Sequence, residues 1–251
     1  MGRLEGKVSL VTGATSGIGQ AIAIAFAKEG SRVAVAGRDE KRGAEVVAII
    51  KASYGQAEFV KADVSQSSEV QSMVNVAVNR FGKLNVLCNC AGLRDEPHNS
   101  IVDLPEEIWD RIINVNLKGV YLCCKYGIPD LIKSGGGSII NIGSISGVIA
   151  LERSAYSAAK GGVIALTRSL AAQFADDNIR VNVICPGSID TPGRRAVSTQ
   201  IARRRFPLPE PLLRRVGTPD EIAPMAVYLA SDESSYTTGG IFLVDGGLTA
   251  R

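Results

Sequence analysis

The sequence predicts an α/β fold: one doubly wound, seven-stranded parallel sheet with helices on both faces. Three observations predict it. Seven short runs rich in β-branched residues alternate with longer amphipathic stretches, the pattern of βαβ units. The first run opens into a glycine-rich turn and then directly into a helical stretch. The 251 residues, 45% of them apolar, contain no evident linker, repeat or low-complexity segment, so a single domain over 1–251 with one large core is expected.

Strands are expected at 8–11, 32–36, 58–61, 86–89, 138–142, 181–184 and 241–244. Helical periodicity fills the intervals at 17–29, 39–53, 66–81, 105–133, 154–176 and 219–230. Pro105 suits the first position of its helix, and Pro129 is expected to kink or end it. The 154–176 stretch is rich in Ala and Gly, small enough for another helix or the sheet to approach closely. Residues 188–218 break the alternation with four prolines and seven arginines, and are expected to form a substrate lid.

Composition excludes several classes. Charged residues make up 21% and the net charge is +3, too weak a field for a nucleic-acid binder. No apolar run approaches the roughly 18 residues of a membrane span. Residues 1–7 carry no long apolar stretch, and Gly6 stands where a myristoylation motif needs Ser or Thr. Five cysteines without C-x-x-C spacing read as buried hydrophobes in a reducing cytoplasm, and no metal site is expected. The single histidine, His98, lies in a polar stretch and reads as a solvated loop residue.

The first strand runs into Thr12-Gly13-Ala14-Thr15-Ser16-Gly17-Ile18-Gly19. Glycines at a strand-to-helix turn let backbone N–H groups approach a pyrophosphate, and the helix terminus adds partial positive charge. The spacing G-x-x-x-G-x-G differs from the dinucleotide fingerprint G-x-G-x-x-G. It resembles the T-G-x-x-x-G-x-G motif of the short-chain dehydrogenase/reductase family, and the resemblance extends over 7–247 with further motifs in order. It implies a Rossmann-type fold and a nicotinamide cofactor cradled by Gly13, Thr15, Ser16, Gly17, Ile18 and Gly19.

After the second strand, an acidic residue would bind the ribose 2′-OH of NAD and repel the 2′-phosphate of NADP. Gly37 occupies that place and Arg38 follows, a partner for a 2′-phosphate. NADP(H) is therefore expected to be preferred, with NAD(H) possible. The bland alternative is a solvated Arg38 beside Asp39 capping the next helix. Asp63 and Val64 resemble the family's adenine-contacting position. Asn89-Cys90-Ala91-Gly92 resembles its N-N-A-G motif, with Cys90 in place of the second Asn, and implies that Asn89, Ala91 and Gly92 support the cofactor.

Tyr156 and Lys160, spaced i and i+4, share one helix face. A phenol is a poor base near neutrality, and a neighbouring ammonium and a cationic nicotinamide both favour the phenolate. Ser144, just past the fifth strand, resembles the family's catalytic serine, which implies that it binds the carbonyl oxygen while Tyr156 moves the proton. Lys160 and Tyr156 would also hold the nicotinamide ribose. Ser146 is the second candidate, further from the strand end. The Ser144-to-Tyr156 gap is one residue shorter than the family more often shows, so a tighter loop is expected. Asn116 resembles the fourth catalytic member, orienting a water toward Lys160, with Asn114 as the lesser candidate. Pro186-Gly187-Ser188-Ile189-Asp190-Thr191 resembles the motif that fixes the carboxamide, with Pro186, Gly187, Ile189 and Thr191 at the cofactor.

The resemblance thus implies an oxidoreductase that interconverts a small-molecule carbonyl and an alcohol. A 3-oxoacyl-[acyl-carrier-protein] reductase is the alternative. Asp176-Asp177 at the end of the 154–176 stretch weighs against an acidic carrier docking there. A dinucleotide-binding regulator or scaffold is the non-enzyme alternative. A homotetramer built on the two long helices and the C-terminal strand region is also implied.

Overall fold

The structure, a computed structural model, describes residues 2–53, 55–94, 100–151, 153–197 and 210–250. His98, Arg203, Arg204 and Arg205 lie outside the described residues. All seven expected strands form: β1 (Val8–Thr12), β2 (Arg32–Gly37), β3 (Gln56–Lys61), β4 (Val86–Asn89), β5 (Gly137–Ile142), β6 (Ile179–Pro186) and β7 (Ile241–Val244). They make one parallel sheet in the order β3-β2-β1-β4-β5-β6-β7.

Both faces of the sheet are covered, which is why the strands read as near-continuous apolar runs. Side chains alternate across it: Leu10 joins the core under α3 (Ser67–Phe81), α5 (Gly119–Lys133) and α6 (Ser154–Gln173). Its neighbour Val11 joins the core under α1 (Gly17–Lys28), α2 (Glu40–Ala52) and α8 (Ala223–Ala230). Among the described residues, the remaining α-helices are α4 (Glu106–Ile113) and the short α7 (Pro192–Val197).

Three expectations need correction. Pro129 does not end its helix, because α5 continues to Lys133. Ile128 and Leu131, on either side of it, are buried against the sheet, and that packing outweighs one missing N–H. The 105–133 stretch is interrupted by a π turn at Asn114–Lys118. The wider turn shifts the backbone partners, and the buried Asn116 amide donates to the Ile112 carbonyl at 3.0 Å. The expected 219–230 helix splits into a 3-10 turn, Pro219–Glu221, and α8.

The strand order reverses between β1 and β4, so the segments that follow their carboxyl ends leave in opposite directions and open a crevice. The buried Thr12 hydroxyl ties the two sides together by accepting from the Cys90 and Ala91 N–H groups, both at 3.1 Å. Thr12→Val keeps the shape and removes the acceptor. It is expected to cost about 1–3 kcal/mol of stability, since two shielded N–H groups lose their partner. Urea unfolding checks this; wild-type stability in the variant would contradict the clamp.

Candidate active site

The crevice opens into a cleft of about 660 Å³. One end is lined by the glycine turn, including Gly13, Thr15, Ser16, Gly17, Ile18 and Gly19. Gly13 adopts φ +65°, and a Cβ there would fall 2.7 Å from the Ala91 Cα. Gly17 adopts φ +56° beneath the Thr191 methyl. Ser16 precedes α1 without a side-chain cap, which leaves the N–H groups of the first turn available to an anion.

Beyond β2, Gly37 lies against Thr15: a Cβ there would be 2.6 Å from the Thr15 methyl. Arg38 is largely exposed and reaches Asp63, Nη1 to Oδ2, at 3.6 Å. Asp39 caps α2 by accepting from the Arg42 N–H at 3.0 Å, as the bland alternative anticipated. Partial burial works against ionisation of Asp63, but hydrogen bonds from the Ser65 N–H and hydroxyl, with the Arg38 guanidinium, hold its carboxyl below the usual range. Val64, Ala91 and Gly92 complete this wall.

Asn89 sits beneath the floor instead of lining the cleft. Its amide donates to Asn141 Oδ1 at 2.9 Å, and Asn141 donates in turn to the Thr167 hydroxyl at 2.9 Å. Its own Oδ1 is buried without a hydrogen-bond partner among the described residues. Cys90 does line the cleft, and burial pushes its thiol up to about 12 against the pull of Lys160, so it is a neutral wall. Cys88, Cys123, Cys124 and Cys185 are buried and, like Cys90, free.

At the other end Ser144, Tyr156, Lys160 and Asn116 face the same cleft, whereas Ser146 and Asn114 are not among its lining. Ser144 accepts from the Ser146 N–H at 3.1 Å and donates to the Ser146 hydroxyl at 3.2 Å. Tyr156 occupies the first turn of α6, and the Lys160 ammonium lies 5.7 Å from its ring centre. The buried Lys160 Nζ donates to the Ile142 carbonyl at 2.7 Å, which fixes its height above the sheet. Asn116 Oδ1 accepts from the Leu93 N–H at 3.2 Å while its amide donates to the Leu93 carbonyl at 3.0 Å. Gly92 is needed beside it, since a Cβ there would meet Asn116 Oδ1 at 2.8 Å. Pro186, Gly187, Ile189 and Thr191 close the roof.

Sequence reasoning missed Arg42 and Arg94 in this lining. Arg42 was legible one helical turn after Arg38, but nothing in the local pattern marks Arg94. Of the lid arginines, Arg194 enters the cleft, Arg195 pairs with Asp190 at 3.4 Å and Arg215 with Glu221 at 2.6 Å. The Arg215 guanidinium, helped by the Thr218 N–H, holds the Glu221 carboxyl down to about 2. Residues 198–209 of the expected lid lie outside the described residues.

Fold and cleft together define a dinucleotide-binding α/β protein with a Ser, Tyr, Lys and Asn cluster at the strand ends. The family model described as enoyl-(acyl carrier protein) reductase matches residues 13–249. The oxidoreductase YxbG of Bacillus subtilis is 41% identical, over 100% of this chain and 93% of the relative. The 3-oxoacyl-[acyl-carrier-protein] reductase FabG of Thermotoga maritima is 39% identical, over 98% of this chain and 99% of the relative. Cyclohexanol dehydrogenase of an Acinetobacter species is 36% identical, over 99% and 97%. A crystal structure of a short-chain type dehydrogenase/reductase from Mycobacterium marinum superposes with TM-score 0.93 at 34% identity, over 99% of this chain and 97% of that one. The chain belongs to the short-chain dehydrogenase/reductase family, oxidoreductases that act on CH–OH groups with a nicotinamide dinucleotide.

Gly13 and Gly82 share a positive φ, but nothing lies within 4 Å of a Cβ at Gly82. Gly82→Ala is expected to cost about 1 kcal/mol through backbone strain alone. Gly13→Ala adds the clash with Ala91 and is expected to cost at least twice as much. Thermal unfolding of the two variants checks this; equal losses would contradict the close approach.

Proposed function

We propose that the chain is an NADP(H)-dependent oxidoreductase interconverting a ketone or aldehyde and the corresponding alcohol, with Tyr156 as acid and base. The observation that carries this reading is the convergence of Ser144, Tyr156 and Lys160 on one cleft with the glycine turn. The residues fit a nicotinamide dinucleotide: Gly13 and Gly17 keep the turn open and the first turn of α1 is uncapped. When bound, the reduced nicotinamide supplies a hydride to the carbonyl carbon. The Ser144 hydroxyl holds the carbonyl oxygen, and Tyr156 delivers its proton there. Lys160, held by the Ile142 carbonyl, keeps positive charge beside the phenol and binds the nicotinamide ribose. Asn116, held by Leu93, orients a water toward Lys160. Residues 1–251 then serve as one catalytic and dinucleotide-binding domain, with 188–218 as its substrate lid.

The preference for NADP(H) rests on Gly37 and Arg38. The Thr15 methyl fills the space that an acidic side chain at position 37 would need. The exposed Arg38 guanidinium is free on its outer edge to meet a 2′-phosphate, and Arg42 adds a second cation to the same wall.

The likeness to a 3-oxoacyl-[acyl-carrier-protein] reductase supports acyl-carrier reduction as a second reading. The exposed Asp176, beside Asp177, weighs against an acidic carrier docking at that end of α6. An apolar groove between α5 and α6, lined by Tyr121, Ile128, Leu166, Leu170 and Phe174, supports self-association into a homotetramer. Five free cysteines favour a reducing compartment, consistent with a cytoplasmic protein.

Tyr156→Phe is expected to lower kcat by about 10²–10⁴-fold, with NADPH affinity retained. NADPH consumption and fluorescence titration check it, and near-wild-type turnover would refute the proton role. Arg38→Ala is expected to narrow the NADPH-to-NADH ratio of kcat/KM by at least about tenfold, the loss of one charge-assisted contact. An unchanged ratio would remove the cofactor assignment.

A further inference from the structure

We propose that Arg94 anchors a carboxylate on the substrate, so that the chain acts on small oxo acids and the matching hydroxy acids. This rests on the carbonyl–alcohol reading above and narrows its substrate class.

Arg94 lines the same end of the cleft as Ser144 and Tyr156. Its guanidinium carbon stands over the Tyr156 ring, 5.7 Å from the ring centre. Its Nε is shielded from solvent and has no hydrogen-bond partner among the described residues. That shielding closes Nε to a ligand as well as to water, so a ligand in the cleft is met by the two terminal nitrogens. They form a planar fork that matches the two oxygens of a carboxylate.

The site is built before any ligand arrives. The backbone just before Arg94 is pinned twice by Asn116, through the Leu93 N–H and carbonyl. The Arg94 carbonyl accepts from Arg153 Nη1 at 3.3 Å, and Arg153 is itself buried. Charge points the same way. The carboxylates lining the cleft, Asp39 and Asp63, sit at the Arg38 wall, each within an ion pair. The Tyr156 end contributes Arg94 and Lys160 and no carboxylate among the described residues.

The Arg94 guanidinium lies next to the Tyr156 ring, 5.7 Å from its centre, so the carbonyl and the carboxylate belong to one small molecule such as a 2- or 3-oxo acid. Such an acid also carries no carrier thioester, so the proposal disfavours acyl-carrier reduction.

The test uses the full chain saturated with NADP⁺ and titrated calorimetrically with malonate, dimethyl malonate and inorganic phosphate. Alongside, kcat/KM is measured with NADPH for 2- and 3-oxo acids and for their methyl esters. Malonate is expected to bind at least about tenfold tighter than its ester or phosphate. Arg94→Gln is expected to abolish that advantage and to lower the acid-to-ester ratio of kcat/KM by about 100-fold, mainly through KM. Arg94→Lys, which keeps the charge without the fork, is expected to retain part of both. Three results would overturn the proposal: equal losses on acid and ester in Arg94→Gln, equal binding of malonate and its ester, or phosphate binding as tight as malonate. Malonate binding needs no turnover. If no carbonyl is reduced yet malonate binds through Arg94, the redox reading alone fails. If neutral ketones are reduced and malonate does not bind, the anchor alone fails.

Discussion

The arrangement depends on one clamp at the point where the strand order reverses. The Thr12 hydroxyl, at the end of β1, accepts the N–H groups of Cys90 and Ala91 just past β4. The ladder between the strands ends at Thr12 and Asn89, and the hydroxyl carries the tether past the end of β4. With it, Gly13 lies so close to Ala91 that any side chain at position 13 would collide with backbone. The same chain segment continues through Gly92 to Leu93, where Asn116 takes over the tether. Hydrogen bonds between two side chains and the backbone thus fix the glycine turn and the Tyr156 end of the cleft relative to each other.

That frame was largely legible in the sequence. Strand periodicity located every strand, because a sheet covered on both faces demands apolar runs too regular to mistake. Helix ends and interruptions were less legible. Pro129 reads as a breaker, yet packing on both sides of it carries α5 through. The π turn at Asn114–Lys118 left no local signature, although it is what turns Asn116 inward. At the site, glycines and the Tyr-x-x-x-Lys pair stand out because their spacing has a geometric reason. Asn89 was placed on the cofactor, whereas its amide works below the floor through Asn141 and Thr167. Arg94 was invisible because no local pattern marks it; only the fold sets its guanidinium over the Tyr156 ring.

The charge distribution divides the cleft into two tasks. At the β2 end, cations are balanced by Asp39 and Asp63, which suits recognition of a phosphate that must also be released. At the Tyr156 end, cations outnumber carboxylates among the lining residues described. An environment of that sign favours anionic groups and developing negative oxygen alike. The lid arginines contribute less than their number suggests, because Arg195 and Arg215 are already paired with acids.

The central claim is that this cleft carries out direct hydride exchange between a nicotinamide and a carbonyl carbon. The most direct measurement is the fate of deuterium from NADPH labelled at the transferring C4 position, with neutral ketones and oxo acids as acceptors and mass spectrometry of the products. The account predicts an alcohol bearing one deuterium on the carbinol carbon. An alcohol with only solvent hydrogen at that carbon, or no alcohol from any acceptor, would contradict it.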